Sequence, residues 1–206
     1  DSTSEGVGNW CLMGGGSWLG GGNTPAHPSA WCKCQQNWAR TVNPATNGQR
    51  NIPDVKQSKE VLRLWNGGKP SKEYFLVEHR RRSGYDKFLP GEGLLIWHID
   101  DTIDSNTNEL HPKVALLQAD GAEDLEHARN RGDGADPYPG TGGRRQFNAT
   151  SNPSSNSYGD LATNVALTDI RESGGIINAM ISVVGPRVST DARRGTTGGR
   201  RRPTSG

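Results

Sequence analysis

The sequence predicts an α+β fold: a short N-terminal helix followed by a mostly antiparallel β region with long loops. Three observations carry this. A helix-start signal, Thr24-Pro25, precedes apolar residues at near-helical spacing. Runs rich in β-branched and aromatic residues then recur along the chain, separated by turn residues. Between some of these runs lie polar stretches too long to be tight connections.

Residues 1–23 form a glycine-rich segment punctuated by Trp10, Met13 and Trp18. Its glycines permit positive φ and tight turns. Leaving large apolar side chains in water is unfavourable, so a packed loop with a buried Met13 is expected. Thr24 supplies a capping oxygen and Pro25 suits the first helical position. Ala26, Ala30, Trp31, Cys34 and Trp38 then extend the helix to about Trp38. Strands are predicted near 60–65, 73–82, 93–100, 113–119, 164–170 and 176–184, with 73–82 and 93–100 as neighbours. Residues 120–160 are a long excursion poor in apolar residues. A loop of that length is functional, ion-ordered or disordered.

The chain has 206 residues, of which 31% are hydrophobic and 28 are glycine. That suits one domain with a modest core plus a tail. From Gly185 onward there are six arginines and one aspartate, a net of +5, which leaves −3 for the rest of a chain whose total is +2. The division is therefore a body over 1–184 and a disordered Arg/Gly/Thr-rich tail over 185–206. The tail has no interleaved aromatics, so nucleic acid is not expected as a partner. No apolar run reaches the roughly 18 residues of a membrane span. Asp1 in place of an initiator methionine predicts that the numbering starts inside a longer product or after processing.

Cys11, Cys32 and Cys34 allow a disulfide from Cys11 to either of the others, or none. Asp120, Asp124, Asp133 and Asp136 lie among glycines in the excursion. Calcium needs several oxygens from a bendable loop, so these are the candidate ligands, a solvated acidic loop being the alternative. The five histidines are His27, His79, His98, His111 and His127, with no pair at four-residue spacing. Strand alternation puts His98 and Asp100 on one face, although a locally hydrogen-bonded strand histidine is the simpler reading. Arg131-Gly132-Asp133 spells an adhesion tripeptide that arises readily by chance.

The segment Gly6-Val7-Gly8-Asn9-Trp10-Cys11-Leu12-Met13-Gly14-Gly15-Gly16-Ser17-Trp18 resembles the stretch after the zinc helix of immune inhibitor A-like metallopeptidases (peptidase family M-six). The likeness continues in order through Thr24-Pro25-Ala26-His27, Ala30-Trp31-Cys32-Lys33, Tyr74-Phe75-Leu76-Val77-Glu78, Gly91 to Asp100, Gln118-Ala119-Asp120-Gly121 and Gly132 to Pro137.

The resemblance implies the C-terminal portion of a metzincin-like catalytic domain, secreted to the extracellular space, with a peptide or protein substrate. It casts Met13 as the methionine-turn residue beneath the zinc, and it implies structural calcium. The family's His-Glu-x-x-His, two ligands a helical turn apart with a glutamate base, is missing from this sequence. No catalytic residue is therefore carried over, and the chain is expected to be inactive alone. The alternative is a non-catalytic β-rich binding module derived from such a peptidase.

Overall fold

A computed structural model describes residues 3–185. The expected tail falls, from residue 186 on, outside the described residues. The architecture is α+β, with few helices and mostly antiparallel strands in two sheets. The strands are β1 (Arg40–Val42), β2 (Gly48–Pro53), β3 (Glu60–Leu64), β4 (Glu73–Arg80), β5 (Gly93–Asp100), β6 (Val114–Leu116), β7 (Ala166–Ser173) and β8 (Ile176–Ser182). One sheet has the order β1-β3-β4-β5-β6, antiparallel except for β1 beside β3. The other, β2-β8-β7, is antiparallel throughout. The two helices are α1 (Ala30–Gln35) and the single turn α2 (Val55–Ser58). No helix is long and apolar enough to cross a membrane among the described residues.

Three layers result from strand alternation. Phe75 and Val77 of β4 with Leu94 and Ile96 of β5 face the small sheet and pack on Ile52, Leu167, Ile177 and Ile181. The opposite face, with Tyr74, Leu76, Leu95, Trp97 and Ile99, is covered by Trp10, Ala26, Ala30, Leu89 and Leu125. β5 is therefore buried at every position, which explains an apolar run without alternation. At about 25 cal/mol per Å² of apolar surface, this two-sided burial dominates stability.

The helix begins later than Thr24. Proline disfavours helical geometry in the residue before it, and Pro25 and Pro28 keep the chain out of helix until Ser29. Ser29 is the N-cap, its hydroxyl accepting from the Cys32 N–H at 3.3 Å. Asn37, at φ 57°, ends the helix before Trp38. The glycine-rich segment holds two 3₁₀ stretches, Gly8–Trp10 and Gly15–Gly22. Trp10 is fully buried, but Met13 and Trp18 are 77% and 75% exposed, contrary to the expectation of a buried methionine. The reason is local: the turn after Cys11 directs its apolar side chains away from the sheet, which Trp10 already covers. The excursion between β6 and β7 has no regular strand, yet it packs through the buried Leu125, Tyr138 and Phe147.

Candidate functional site: the methionine loop and its acidic backing

The loop bearing Met13 is held from beneath by charges set in the central sheet. Glu78 and Arg80 lie two apart on β4, so both project towards the N-terminal layer. Glu78 accepts from Lys33 Nζ at 2.5 Å through one oxygen and from Arg80 and Trp97 Nε1 at 3.2 Å through the other. Arg80 makes a two-pronged contact to Asp86, Nε donating at 2.8 Å and Nη2 at 2.6 Å. Its remaining N–H groups donate to the carbonyls of Trp10, His27 and Pro28 at 3.3–3.4 Å. One buried guanidinium thus fixes both ends of the segment 10–28.

Burial alone would raise the Asp86 carboxyl, but the hydrogen bonds and charge of Arg80 hold it down at about 2. Burial pushes Lys33 down, with Arg80 adding to the effect and Glu78 opposing it.

Behind Trp10 lies the acidic cluster. Trp10 Nε1 donates to Asp136 Oδ2 at 2.8 Å, and the Asp133 N–H donates to the same oxygen at 3.0 Å. Carboxylate oxygens of Asp120, Asp133 and Asp136 all lie within 4.8 Å of one another. Burial pushes the Asp136 carboxyl up to about 7, with Asp133 and Asp120 adding repulsion against the two hydrogen bonds. Only Gly132 fits where it does, because a Cβ there would run into the Trp10 indole, and its φ is +107°.

Three of the four predicted calcium ligands therefore converge and one does not. Asp124 turns to Arg129 at 3.3 Å and Asn130 at 2.9 Å instead. Asn130 also reaches Asp133 at 3.1 Å, so Asp124 touches the cluster only through that amide. Three carboxylates in a bend are the beginning of a hard-cation site, which takes six to eight oxygens. The Arg131-Gly132-Asp133 triplet is folded into this loop, with Gly132 against Trp10 and Asp133 in the cluster.

His98 and Asp100 share a face as alternation requires, but they do not pair. His98 Nε2 meets Glu73 at 2.9 Å and its ring stacks on Tyr158 at 4.1 Å. Asp100 takes His111 at 2.8 Å and the Thr102 hydroxyl at 2.6 Å. The cysteines are free thiols. Sequence reasoning missed the Lys33–Glu78–Arg80–Asp86 network. The available signal was two charged residues closing an apolar strand, Tyr74 to Arg80, which is an expensive place for charge unless it is paired.

An open cleft of about 460 Å³ lies elsewhere, against β6, walled by Leu110, Pro112, Leu116, Glu126 and Tyr158. It shares no lining residue with Met13 or the three aspartates. Neither a family model nor a curated protein sequence matches the chain.

Proposed function

We propose that the chain is the C-terminal part of the catalytic domain of a secreted, metzincin-like zinc metallopeptidase of the immune inhibitor A kind, acting on peptide or protein substrates outside the cell. The observation that carries the reading is Met13. It stands exposed on a turn pinned from beneath by Arg80 and Trp10, rather than filling the core. In this reading Met13 and Trp18 meet a zinc-bearing helix contributed by sequence upstream of Asp1, and the ordered sequence blocks supply the family.

The described residues do not fit a zinc site. Among the described residues the group of three or more candidate ligands close enough to share an ion is Asp120, Asp133 and Asp136, with no histidine or thiol in it. Zinc favours nitrogen and sulfur donors in a tetrahedral set. No catalytic step is assigned to this chain, whose part is to support the metal loop from below.

The test has two arms. Purified residues 1–206 are expected to take up no stoichiometric zinc and to leave casein intact. The coding sequence immediately upstream of Asp1 is expected to encode His-Glu-x-x-His, and the extended protein to cleave casein until chelated. An unrelated domain upstream, or zinc-dependent cleavage by the short chain, overturns the reading.

Calcium at Asp120, Asp133 and Asp136 belongs to the same proposal. A bound cation would favour the ionised Asp136 and would brace Trp10 through its indole hydrogen bond. Millimolar calcium should raise the melting temperature of the wild-type chain, and Asp136→Asn should abolish the rise. An equal rise in both proteins would place calcium elsewhere.

A further inference from the structure

Two of the three thiols stand together behind the methionine loop. Cys11 is buried just after the Gly8–Trp10 turn, and Cys32 is half-buried in the first turn of α1. Cys11 Sγ accepts from the Met13 N–H at 3.3 Å and from the Ser29 N–H at 3.2 Å. The Cys32 thiol hydrogen-bonds to the same sulfur. Ser29 ties the two together, because its hydroxyl also accepts the Cys32 N–H at 3.3 Å. Cys34 is placed differently. Two residues further along a helix the side chain has turned by about 200°, and Cys34 sits near Glu78, Lys33 and Tyr74 instead.

We propose that Cys11 and Cys32 are a disulfide pair that fastens the methionine loop to α1, leaving Cys34 as a thiol. The inference chooses between the two partners the sequence left open for Cys11. It stands apart from the peptidase reading, since it uses no metal and no substrate.

The chemistry balances with a small-molecule disulfide as oxidant. Cys32, the more accessible sulfur, gives its proton to the neighbouring Cys11 thiolate as it attacks the small disulfide, forming a mixed disulfide and releasing one small thiolate. Cys11 then attacks Cys32 Sγ, closing the protein disulfide and expelling the second small thiolate. Two protein thiols lose two protons and two electrons, and the oxidant leaves as two thiols. The hydrogen bond from the Cys32 thiol, against burial and with two backbone N–H groups, favours the Cys11 thiolate and lowers its pKa to about 6, while the same bond and burial push the Cys32 thiol up. Burial likewise pushes the Cys34 thiol up to about 11.

The experiment uses the full chain, reduced, then exposed to oxidised glutathione without denaturant, alkylated and digested. Trypsin cuts after Lys33, so Cys32 and Cys34 fall on separate peptides. The expected product is a monomer lighter by two hydrogens, with Cys11 and Cys32 both unalkylated on the single peptide 1–33, itself two hydrogens lighter, and Cys34 alkylated. Cys34→Ser should give the same link, and Cys32→Ser should leave Cys11 alkylated. Oxidation should also slow proteolysis within residues 3–28 severalfold, reversed by reductant. A Cys11–Cys34 link, three alkylated thiols, or glutathione retained on Cys32 without closure would overturn the proposal.

Discussion

Arg80 concentrates more consequence than any other single side chain described above. It is fully buried and touches Glu78, Asp86 and three carbonyls of the segment over the sheet. Replacing it by alanine takes the two-pronged partner from the buried Asp86 and leaves Glu78 to Lys33 and Trp97, at a cost of about 4 kcal/mol. Urea unfolding of Arg80→Ala should show that loss as a lower midpoint with an unchanged slope. The pH response follows from its partner. Asp86 titrates at about 2 when folded, below an ordinary aspartate. A depressed folded pKa means stability that is present above the unfolded value and lost as pH falls through the folded one. The window is therefore about pH 4 down to pH 2, and roughly 2 kcal/mol is at stake. Asp86→Asn should flatten stability across that window, measured by denaturation at successive pH values. A wild-type curve level from pH 4 to 2 would contradict the assignment.

Among the elements, six of the eight described strands were legible and the helix boundary was not. Predicted runs near 60–65, 73–82 and 93–100 correspond to Glu60–Leu64, Glu73–Arg80 and Gly93–Asp100, because two-sided burial writes itself as continuous apolar sequence. β1 and β2 escaped notice. Arg40-Thr41-Val42 is only three residues, and Gly48 to Pro53 has a single buried apolar residue, Ile52, so neither shows a period of two. The Thr24-Pro25 signal was chemically sound but lost to Pro28, which defers the helix to Ser29. Ser29→Ala should therefore cost about 1 kcal/mol, whereas Thr24→Ala should change thermal stability little. Equal losses at the two positions would restore the earlier boundary. Of the acidic residues the sequence groups in the excursion, Asp120, Asp133 and Asp136 come together. Composition marks an acidic loop, but only folding decides that Asp124 turns to Arg129 and Asn130.

For the whole molecule, the three layers predict where the chain is open to attack. Trp10 and Trp97 are fully buried on the same face of the central sheet, while Trp18, Leu110 and Leu161 are exposed. Under limiting chymotrypsin, mass mapping should find first cuts after Trp18, Leu110 and Leu161. Early cuts at Trp10 or Trp97 would mean that the N-terminal layer does not dock as described. The same experiment bears on the exposed turn. Joined to a longer N-terminal segment that covers Met13, the protein should lose the cut at Trp18 and keep the others.

The bond from the Trp10 indole to Asp136 makes part of this testable by light. A cation drawn among the three aspartates would pull electron density away from the oxygen to which that indole donates. Of the chain's six tryptophans, Trp10 alone has an aspartate of the cluster as its N–H partner, so its emission should shift on cation binding and stay fixed in Asp136→Asn. Because Cys11 follows it directly, the same fluorophore also sits beside a sulfur, an efficient quencher. A single intrinsic chromophore would then read metal occupancy by its colour and thiol state by its brightness.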